Sequence, residues 1–504
     1  MFRYVAKLPG GEVSYTSFIA PRKLGWGFLL AWVFCAFYAG PAVSAVPNRE
    51  GMGLDALSRL LVDCAPVTVA ILVLVVLVAF EGRIGSVAHK GWARWGAPVL
   101  TALGTLLLSF CSVLDCSSAA LYLVGSVLNG LGSGVMWVLW GELYARLPQD
   151  EVEAAALLSA IIAAMLVLAA SAMSGWVACA FVLSFPLISG ALFVLAWSRD
   201  GDSAVSSDYL HRAEEDALVQ AHDSVRGKPM SAMRAMGRSG WGVFCACLFT
   251  CIVGSLARVM VSGAAFQVIV LLSLAFMAVV GFVSLAGPRR LSIAFLYRWM
   301  CPVLTFAFAM LIVLDATLGG CIAFGVGLGA RFAFCLITQM YFARFAARGQ
   351  ATPTQSYGLG WIFVHLGDLA GVLVMFALEA LLPSAETSSI AAVCMVLLVV
   401  ATMYVLGDKD SFALAWTPDV GKAQASPVED ASSSESGSRI QELARELNLT
   451  PRETEVFALL MKGRSVPYIR DELVVSRETV ATHVKHIYAK ANVHSRQELL
   501  DLAN

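Results

Sequence analysis

The chain has 504 residues, of which 58% are hydrophobic and only 14% are charged, and its mean hydropathy is +0.74. Soluble globular proteins contain about 45–50% apolar and about 25% charged residues, so this composition excludes an ordinary soluble protein. The formal net charge of −1 conceals a difference between regions. Residues 439–504 carry 10 Lys and Arg and 9 Asp and Glu in 66 positions, a density typical of a soluble domain. We therefore predict a membrane part followed by a soluble tail.

Apolar windows of about 20 residues, the length that crosses the hydrocarbon core as a helix, recur along the first four-fifths of the chain. They predict an all-α bundle of twelve membrane spans. The predicted spans are 24–43, 60–80, 97–114, 119–142, 153–174, 176–197, 241–262, 264–286, 296–316, 318–342, 356–380 and 388–406.

Lys and Arg residues outside these spans are distributed unevenly between the two sides. Nineteen lie in the N-terminal tail and the even-numbered loops, counting Arg298 in the first turn of span 9, whereas the odd-numbered loops contain only Arg49 and Arg59. Because translocation of Lys and Arg across the membrane is disfavoured, both termini are predicted to be cytoplasmic. The charged tail is then on the side where DNA is accessible.

Two segments of the membrane part repeat. Six of eight positions match between segments 94–101 and 298–305, which open spans 3 and 9, and a Gly-x-Gly-x-Gly pattern occurs in both spans 4 and 10. We predict two parallel six-helix repeats, at about 24–197 and 241–406, joined by the cytoplasmic loop 198–240. The matching residues are Arg94, Trp95, Pro98, Val99, Leu100 and Thr101 against Arg298, Trp299, Pro302, Val303, Leu304 and Thr305, and Gly130, Gly132 and Gly134 against Gly325, Gly327 and Gly329.

This arrangement over residues 1–406 resembles the major facilitator superfamily. The resemblance implies a transporter-like domain that binds a small molecule between its halves. The loop after span 2 reads Glu81-Gly82-Arg83-Ile84-Gly85-Ser86 and departs from the signature of active transporters, because the Asp-Arg and the following basic pair are missing. This departure argues against a transport cycle.

Polar residues inside the membrane are rare and costly, so each is a candidate site residue. Arg331 and Asp368 fall near mid-depth on consecutive antiparallel spans, where an ion pair is geometrically feasible. Such a pair has either a structural role or a ligand role, and the pattern leaves both open. Aromatic residues such as Trp137 and Trp361 either line a cavity or pack between helices. The candidate ligand-binding residues are Arg331, His365, Asp368, Asn129 and Glu142.

The cysteines and the reactive side chains suggest no catalytic or metal chemistry. All 12 cysteines lie between Cys35 and Cys394, inside or at the ends of apolar runs, which argues against a disulfide scaffold or a Cys-x-x-Cys metal site. No nucleophile–base constellation appears in either part of the chain. We therefore predict no enzyme activity, no catalytic residue, no metal and no cofactor.

Residues 407–438 are acidic and then Ser-rich, a composition that predicts a flexible linker. Short amphipathic helices follow in 439–504. Thr450 is a predicted N-cap, with Pro451 at the first helical position and Glu453 at the third. A later helix, capped by Ser476 and ending near residue 491, has a predicted buried stripe and an opposite face. The stripe is Val480, Val484 and Ile487, and the opposite face is Ala481, Thr482, Lys485 and Tyr488.

The tail resembles the LuxR-type helix-turn-helix over about residues 449–502. The motif residues include Leu449-Thr450-Pro451-Arg452-Glu453, Val475-Ser476-x-x-Thr479-Val480-x-x-His483-Val484 and Ile487-Tyr488-x-Lys490. The resemblance implies a four-helix DNA-binding domain whose helix from Arg477 enters the major groove and whose last helix contributes to dimerisation. The sequence departs from the family pattern at Ala481, where the family usually has a basic residue. The candidate DNA-binding residues are Arg477, Thr479, Thr482, Lys485, His486 and Lys490.

Together these patterns predict a one-component transcription regulator in the inner membrane of a bacterium. Its transporter-like domain would sense a small molecule, and its tail would bind promoter DNA as a homodimer. The predicted partners are double-stranded DNA, a small-molecule ligand and the lipid bilayer. An alternative is an active transporter with an attached regulatory domain. In a third interpretation the bundle is only an anchor, which leaves Arg331, His365 and Asp368 unexplained.

Overall fold

The computed structural model separates the chain into two compact units, Met1–Ala415 and Trp416–Asn504. The division falls within the predicted linker. Three predicted segments lie mostly or wholly outside the described residues. They are span 8, the linker 407–438 and residues 466–473, which the pattern of the tail predicts to be one of its short helices. The structure describes residues 4–8, 11–15, 20–38, 56–113, 119–203, 228–258, 261, 265–273, 276, 293–347, 349, 351–382, 385–406, 443, 447, 449–461, 477–491, 493 and 499.

The first unit is built almost entirely from helices. Short 3₁₀ turns at Pro21–Leu24 and Val87–His89 and a π-helical turn at Phe34–Tyr38 accompany the α-helices. The α-helices are α1 (Trp26–Val33), α2 (Ala56–Ala79), α3 (Glu81–Ile84), α4 (Gly91–Val113), α5 (Ala119–Tyr144), α6 (Gln149–Ser171), α7 (Gly175–Ser203), α8 (Pro229–Arg258), α9 (Ile293–Val313), α10 (Ala316–Ala347), α11 (Pro353–Leu381) and α12 (Thr387–Leu406).

Among the described residues, six helices are long and apolar enough to cross a membrane, and a seventh span results if the bent pair Cys64–Ala79 and Glu81–His89 is counted as one. Two further apolar helices, Trp299–Val313 and Thr387–Met403, are shorter. The structure therefore supports a nearly all-helical, membrane-type bundle, whereas the predicted number of twelve spans is not confirmed by the described residues. The six helices are Ala120–Tyr144, Glu151–Ser171, Gly175–Ser198, Ser239–Ala257, Ala316–Ala347 and Pro353–Leu381.

A two-stranded hairpin precedes the bundle and was not part of the all-α prediction. Strand β1 (Tyr4–Leu8) pairs antiparallel with β2 (Gly11–Tyr15), so that Tyr4 is opposite Tyr15 and Leu8 is opposite Gly11. Both strands are enriched in Val and Tyr, which favour extended backbone. Their five-residue length explains why a search for long apolar windows passed over them.

Glycines of α5 allow its neighbours to approach closely. A Cβ atom at Gly130 would lie 2.5 Å from the carbonyl oxygen of Pro66 in α2, and a side chain at Gly132 would clash with Thr101 in α4. The predicted glycine pattern thus serves helix packing, as small residues commonly do in membrane bundles. In α8, Gly237 interrupts the helix with φ 44°, a left-handed conformation that favours glycine.

The second unit is organised around α13 (Pro451–Met461) and α14 (Arg477–Ala491). The predicted cap of α13 is confirmed, because the Glu453 amide donates to Thr450 Oγ1 at 3.3 Å and the Thr450 amide donates to Glu453 Oε2 at 2.8 Å. Tyr488 was predicted on the face opposite the core, but it is half-buried against it. The apolar stripe of α14 is therefore wider than predicted. The core side chains are Val456, Phe457, Leu460, Ile487, Val493 and Leu499.

Candidate ligand cavity and DNA-binding helix

The first unit contains a cavity of about 380 Å³, lined by α1, α2 and α5 of the first predicted half and by α8, α10 and α11 of the second. Its volume lies in the range of about 300–1,000 Å³ that is usual for small-molecule sites. Three of the predicted ligand-binding residues, Arg331, His365 and Asp368, line it. The predicted position between the halves therefore coincides with a cavity.

The ion pair predicted between α10 and α11 is present. Arg331 Nη2 lies 2.7 Å from Asp368 Oδ2, and both side chains are buried. Arg331 Nη1 also lies 3.5 Å from Thr250 Oγ1 of α8. The pair thus joins three helices of the second half and presents a donor and an acceptor at the cavity wall.

Aromatic side chains form much of the remaining wall. Trp137 of α5 and Trp361 of α11 stack with ring centroids 3.8 Å apart, and the His365 ring lies 5.9 Å from that of Trp361. This stack connects the two halves at one end of the cavity. From there the cavity extends to Leu60 near the start of α2 and to Glu379 near the end of α11.

Asn129 does not line the cavity but lies behind its wall. Trp32 Nε1 donates to Thr105 Oγ1 at 2.8 Å, and this hydroxyl lies 3.3 Å from Asn129 Oδ1. Asn129 therefore helps to position Trp32, a cavity residue that the sequence analysis missed. The sequence gives little sign of a role for Trp32, because the described part of span 1 is uniformly apolar.

Glu142 lies at the opposite end of the bundle from Leu60 and Glu379. Its carboxylate accepts hydrogen bonds from the amides of Val87 and Ala88 at 2.9 and 3.0 Å, and from the hydroxyl of Ser86. It also accepts one from Thr354 Oγ1, in the other half, at 2.8 Å. Glu142 is thus removed from the cavity and connects the two halves.

Two further carboxylates make the same kind of contact. Glu81 accepts a hydrogen bond from Thr352 Oγ1 at 2.5 Å, and Glu153 Oε1 lies 2.5 Å from Arg344 Nη2. We call these three carboxylates and their partners Thr352, Thr354 and Arg344 the latch. Because Thr352 and Thr354 are at the start of α11, whereas Glu379 is near its end, the latch lies at the end of the bundle opposite the end to which the cavity extends.

In the second unit, α14 carries the candidate DNA-binding residues. Thr482, Lys485 and His486 are exposed, whereas Ile487 on the other side of the helix is fully buried. Arg477 and Thr479 lie in the first turn of α14. The exposed face of the predicted reading helix therefore contains Lys485.

Lys490 makes a contact within the domain. Its Nζ lies 2.7 Å from Oε2 of Glu453, a buried carboxylate that also caps α13, and His486 Nδ1 lies 3.6 Å from Oε1. The Lys490 hydrogen bond and the Thr450 amide lower the pKa of Glu453 from 4.5 to about 2. Glu453 thus connects the cap of α13 to α14.

The lowered pKa of Glu453 predicts an acid-sensitive domain. A carboxylate whose pKa falls on folding contributes stability that is present above its unfolded pKa and is lost as the pH falls through the folded pKa. For a fragment 416–504, we expect Glu453→Gln to lower the melting temperature at pH 7 by several degrees. This difference from wild type should narrow between pH 4.5 and 2, as followed by circular dichroism. Glu455→Gln, which removes an exposed surface pair with Arg452, is the control and should have little effect at any pH.

The tail matches the family described as bacterial regulatory proteins, luxR family (GerE), over residues 447–503. It is 39% identical over 64 residues to the HTH-type transcriptional regulator MalT of Vibrio cholerae, and 38% identical over 65 residues to MalT of Serratia proteamaculans. Each match covers 13% of this chain and only 7% of the relative. The likeness is therefore confined to the DNA-binding module.

The first unit is similar in fold to solved transporters. The human organic anion transporter MFSD10 (TETRAN) matches with a TM-score of 0.50 and 14% identity, over 76% of this chain and 100% of that one. The Major Facilitator Superfamily transporter FucP matches over 77% of this chain and 99% of that one, with a TM-score of 0.46 and 14% identity. The chain thus joins a membrane bundle of transporter-like fold to a C-terminal LuxR-type helix-turn-helix domain.

Proposed function

We propose that this protein is a membrane-embedded transcription regulator whose bundle binds a small molecule and whose tail binds promoter DNA. The observation that carries this proposal is a cavity containing a buried Arg331–Asp368 pair in the same chain as a LuxR-type domain. Retaining a charged pair inside a membrane bundle is costly and favours a functional role. The LuxR-type match and the transporter-like fold favour a function other than an enzyme's.

The proposal includes twelve spans with both termini in the cytoplasm of a bacterium. Eleven of the twelve predicted spans contain a described α-helix, and the eighth lies mostly outside the described residues. The excess of Lys and Arg in the tail and the even-numbered loops supports this orientation. The latch then faces the cytoplasm, and the cavity opens toward the outside, from which the ligand would enter.

Contacts between the halves offer a route from ligand to DNA. A ligand in the cavity touches helices of both halves, so its binding would shift the balance between conformations with a closed and an open latch. The acidic, Ser-rich composition of 407–438 does not favour rigid transmission. We propose that ligand instead changes the pairing or the accessibility of two tails.

On DNA, we propose that α14 enters the major groove and that the regulator acts as a homodimer. Two tethered domains that read adjacent half-sites gain affinity from their raised effective concentration. Thr482, Lys485 and His486 are exposed and suited to DNA contact, and Arg477 and Thr479 start the helix. Lys490 has a structural partner in Glu453, so any phosphate contact would compete with that ion pair.

Lys485→Ala tests the reading helix. If Lys485 contacts a base edge, we expect the affinity for the specific promoter to fall by about 1–3 kcal/mol, because that contact is lost. If it contacts only phosphate, specific and non-specific affinity should fall together, and the salt slope should shrink by about one unit. Fluorescence anisotropy of the full chain in nanodiscs, at several salt concentrations, measures both quantities.

The matched control for this variant is Arg452→Ala, which removes the same charge from an exposed position on α13. Its effect on DNA affinity should be smaller. If Lys485→Ala changes neither affinity nor salt slope, α14 is not the reading helix.

An active transporter with a regulatory tail is the second candidate. A cavity between the halves, with the latch at the opposite end of the bundle, favours it. Ligand uptake into proteoliposomes, measured with and without a proton or sodium gradient, distinguishes the two functions. A regulator should bind ligand without gradient-dependent accumulation. Reporter expression and DNA footprinting with a panel of candidate ligands then identify the effector and test the proposal itself.

A further inference from the structure

A cluster of basic side chains lies beside the latch. Lys90, Arg94 and Arg146 are all within electrostatic reach of His89. Within the described parts of the chain, no carboxylate lies within 4 Å of any of these three cations. The carboxylate that acts on Arg146 is Glu142, which is already engaged by four hydrogen bonds. Three cations beside this one carboxylate leave the cluster with a net positive charge.

Two other basic residues at this end of the bundle are paired. Lys23 Nζ lies 2.6 Å from Glu151, and Arg344 lies 2.5 Å from Glu153. By contrast, in the part of the chain that the structure describes, no ion pair ties Lys90, Arg94 or Arg146 to another helix of the bundle. Three neighbouring cations with no carboxylate in direct contact are suited to an external anion.

Two tryptophans place this cluster at a membrane surface. Trp92 and Trp95 are 60% and 61% exposed and lie one turn apart in the first turns of α4, at the same depth as Arg94 but on a different face of the helix. Tryptophan is enriched where hydrocarbon meets the headgroups, because its ring is apolar and its N–H is polar. The basic cluster is therefore expected at headgroup level.

The third cation is held in position by aromatic contacts. The Arg146 guanidinium lies 3.9 Å from the centroid of the Trp197 ring, and the His89 ring meets the same indole edge-on at 5.1 Å. A cation–π contact of this kind restricts the guanidinium while leaving its N–H groups available. Arg146 is exposed to solvent despite the contact.

We propose that Lys90, Arg94 and Arg146 bind the phosphate of an anionic phospholipid, with Trp92 and Trp95 beside its acyl chains. Phosphate accepts strong, charge-assisted hydrogen bonds from guanidinium groups, and basic side chains at the inner leaflet attract anionic lipid. The site borders the latch, since His89 Nδ1 is 2.9 Å from Ser86 Oγ, which donates to Glu142. Lipid at this site would thus influence the contact between the halves.

The test uses the full chain in detergent and native mass spectrometry with added phosphatidylglycerol or phosphatidylcholine. Wild type should retain phosphatidylglycerol preferentially. Lys90→Gln with Arg94→Gln should weaken this binding, by roughly fivefold for each charge removed. The control, Lys228→Gln with Arg234→Gln, removes two exposed charges from the start of α8 and should leave the preference unchanged. Equal losses in both double variants, or no loss in the first, would overturn the proposal.

Two further measurements test the proposal even if Lys90→Gln with Arg94→Gln fails to fold. Phosphatidylglycerol with brominated acyl chains should quench wild-type tryptophan fluorescence more than brominated phosphatidylcholine does, and this difference should disappear in Trp92→Phe with Trp95→Phe. Millimolar inorganic phosphate should fail to displace the lipid. Complete displacement by phosphate would instead identify a site for free phosphate, and equal quenching by both lipids would contradict a site for anionic lipid.

Discussion

Asp368→Ala is expected to abolish ligand-dependent reporter expression and to destabilise the bundle by about 3–5 kcal/mol, because it leaves Arg331 buried beside an empty space. Arg331 and Asp368 are both buried, and Nη2 and Oδ2 are 2.7 Å apart. Arg331→Ala should have the same two effects. Ligand dose–response curves and thermal unfolding of the purified chain measure them, and promoter binding without ligand should persist.

A double variant separates the ligand role of this pair from its structural role. Replacing both partners, Arg331→Met with Asp368→Leu, removes the uncompensated charge and should restore most of the lost stability. Ligand response should remain absent, because the cavity no longer presents a charged donor and acceptor. A double variant that is stable and responds normally would show that the pair is structural and that the ligand site lies elsewhere.

Glu142→Ala is expected to break the latch and to leave the buried amides of Val87 and Ala88 without an acceptor. Each unsatisfied amide costs about 1–3 kcal/mol, so the variant should be clearly less stable. The cavity exists in the conformation with the closed latch, and opening the latch reduces the population of that conformation. We therefore expect half-maximal reporter response to require at least about tenfold more ligand.

Thr354→Val is the sharper variant for the same contact. It removes only the hydrogen bond between the halves and leaves Glu142 to accept from Val87 and Ala88. The shift in ligand concentration should have the same direction and a smaller size. Glu386→Ala, which removes an exposed carboxylate between α11 and α12, is the control. If both latch variants gave unchanged dose–response curves, the latch would have no influence on ligand binding.

Two kinds of feature were predictable from the sequence: those that depend on a few neighbouring residues, and those that depend on how deep a residue lies in the membrane. The Thr450 cap depends on four consecutive residues, and counting positions along two antiparallel spans placed Arg331 opposite Asp368. Both charges fell near mid-depth, where pairing offsets the cost of burying each alone, so an ion pair was feasible from the sequence.

Contacts that depend on how the halves pack could not be predicted in the same way. Glu142 was assigned to the ligand site from its position in a span, but its partner Thr354 is 212 residues away. Hydropathy gives the depth of a residue and not the neighbour it faces. Trp32 was missed for a related reason, because its role depends on Thr105 of another helix.

Ligand bound in the bundle is proposed to change promoter occupancy by the tail. Footprinting of one promoter with a panel of ligands measures this change. Three proteins are compared: the full chain, the Arg331→Met/Asp368→Leu double variant, and a soluble fragment 439–504. We expect one ligand of the panel to change promoter occupancy by the full chain, while the double variant and the fragment bind DNA without responding to it. A ligand that changes occupancy equally with the fragment would contradict it, because sensing would then not require the membrane cavity.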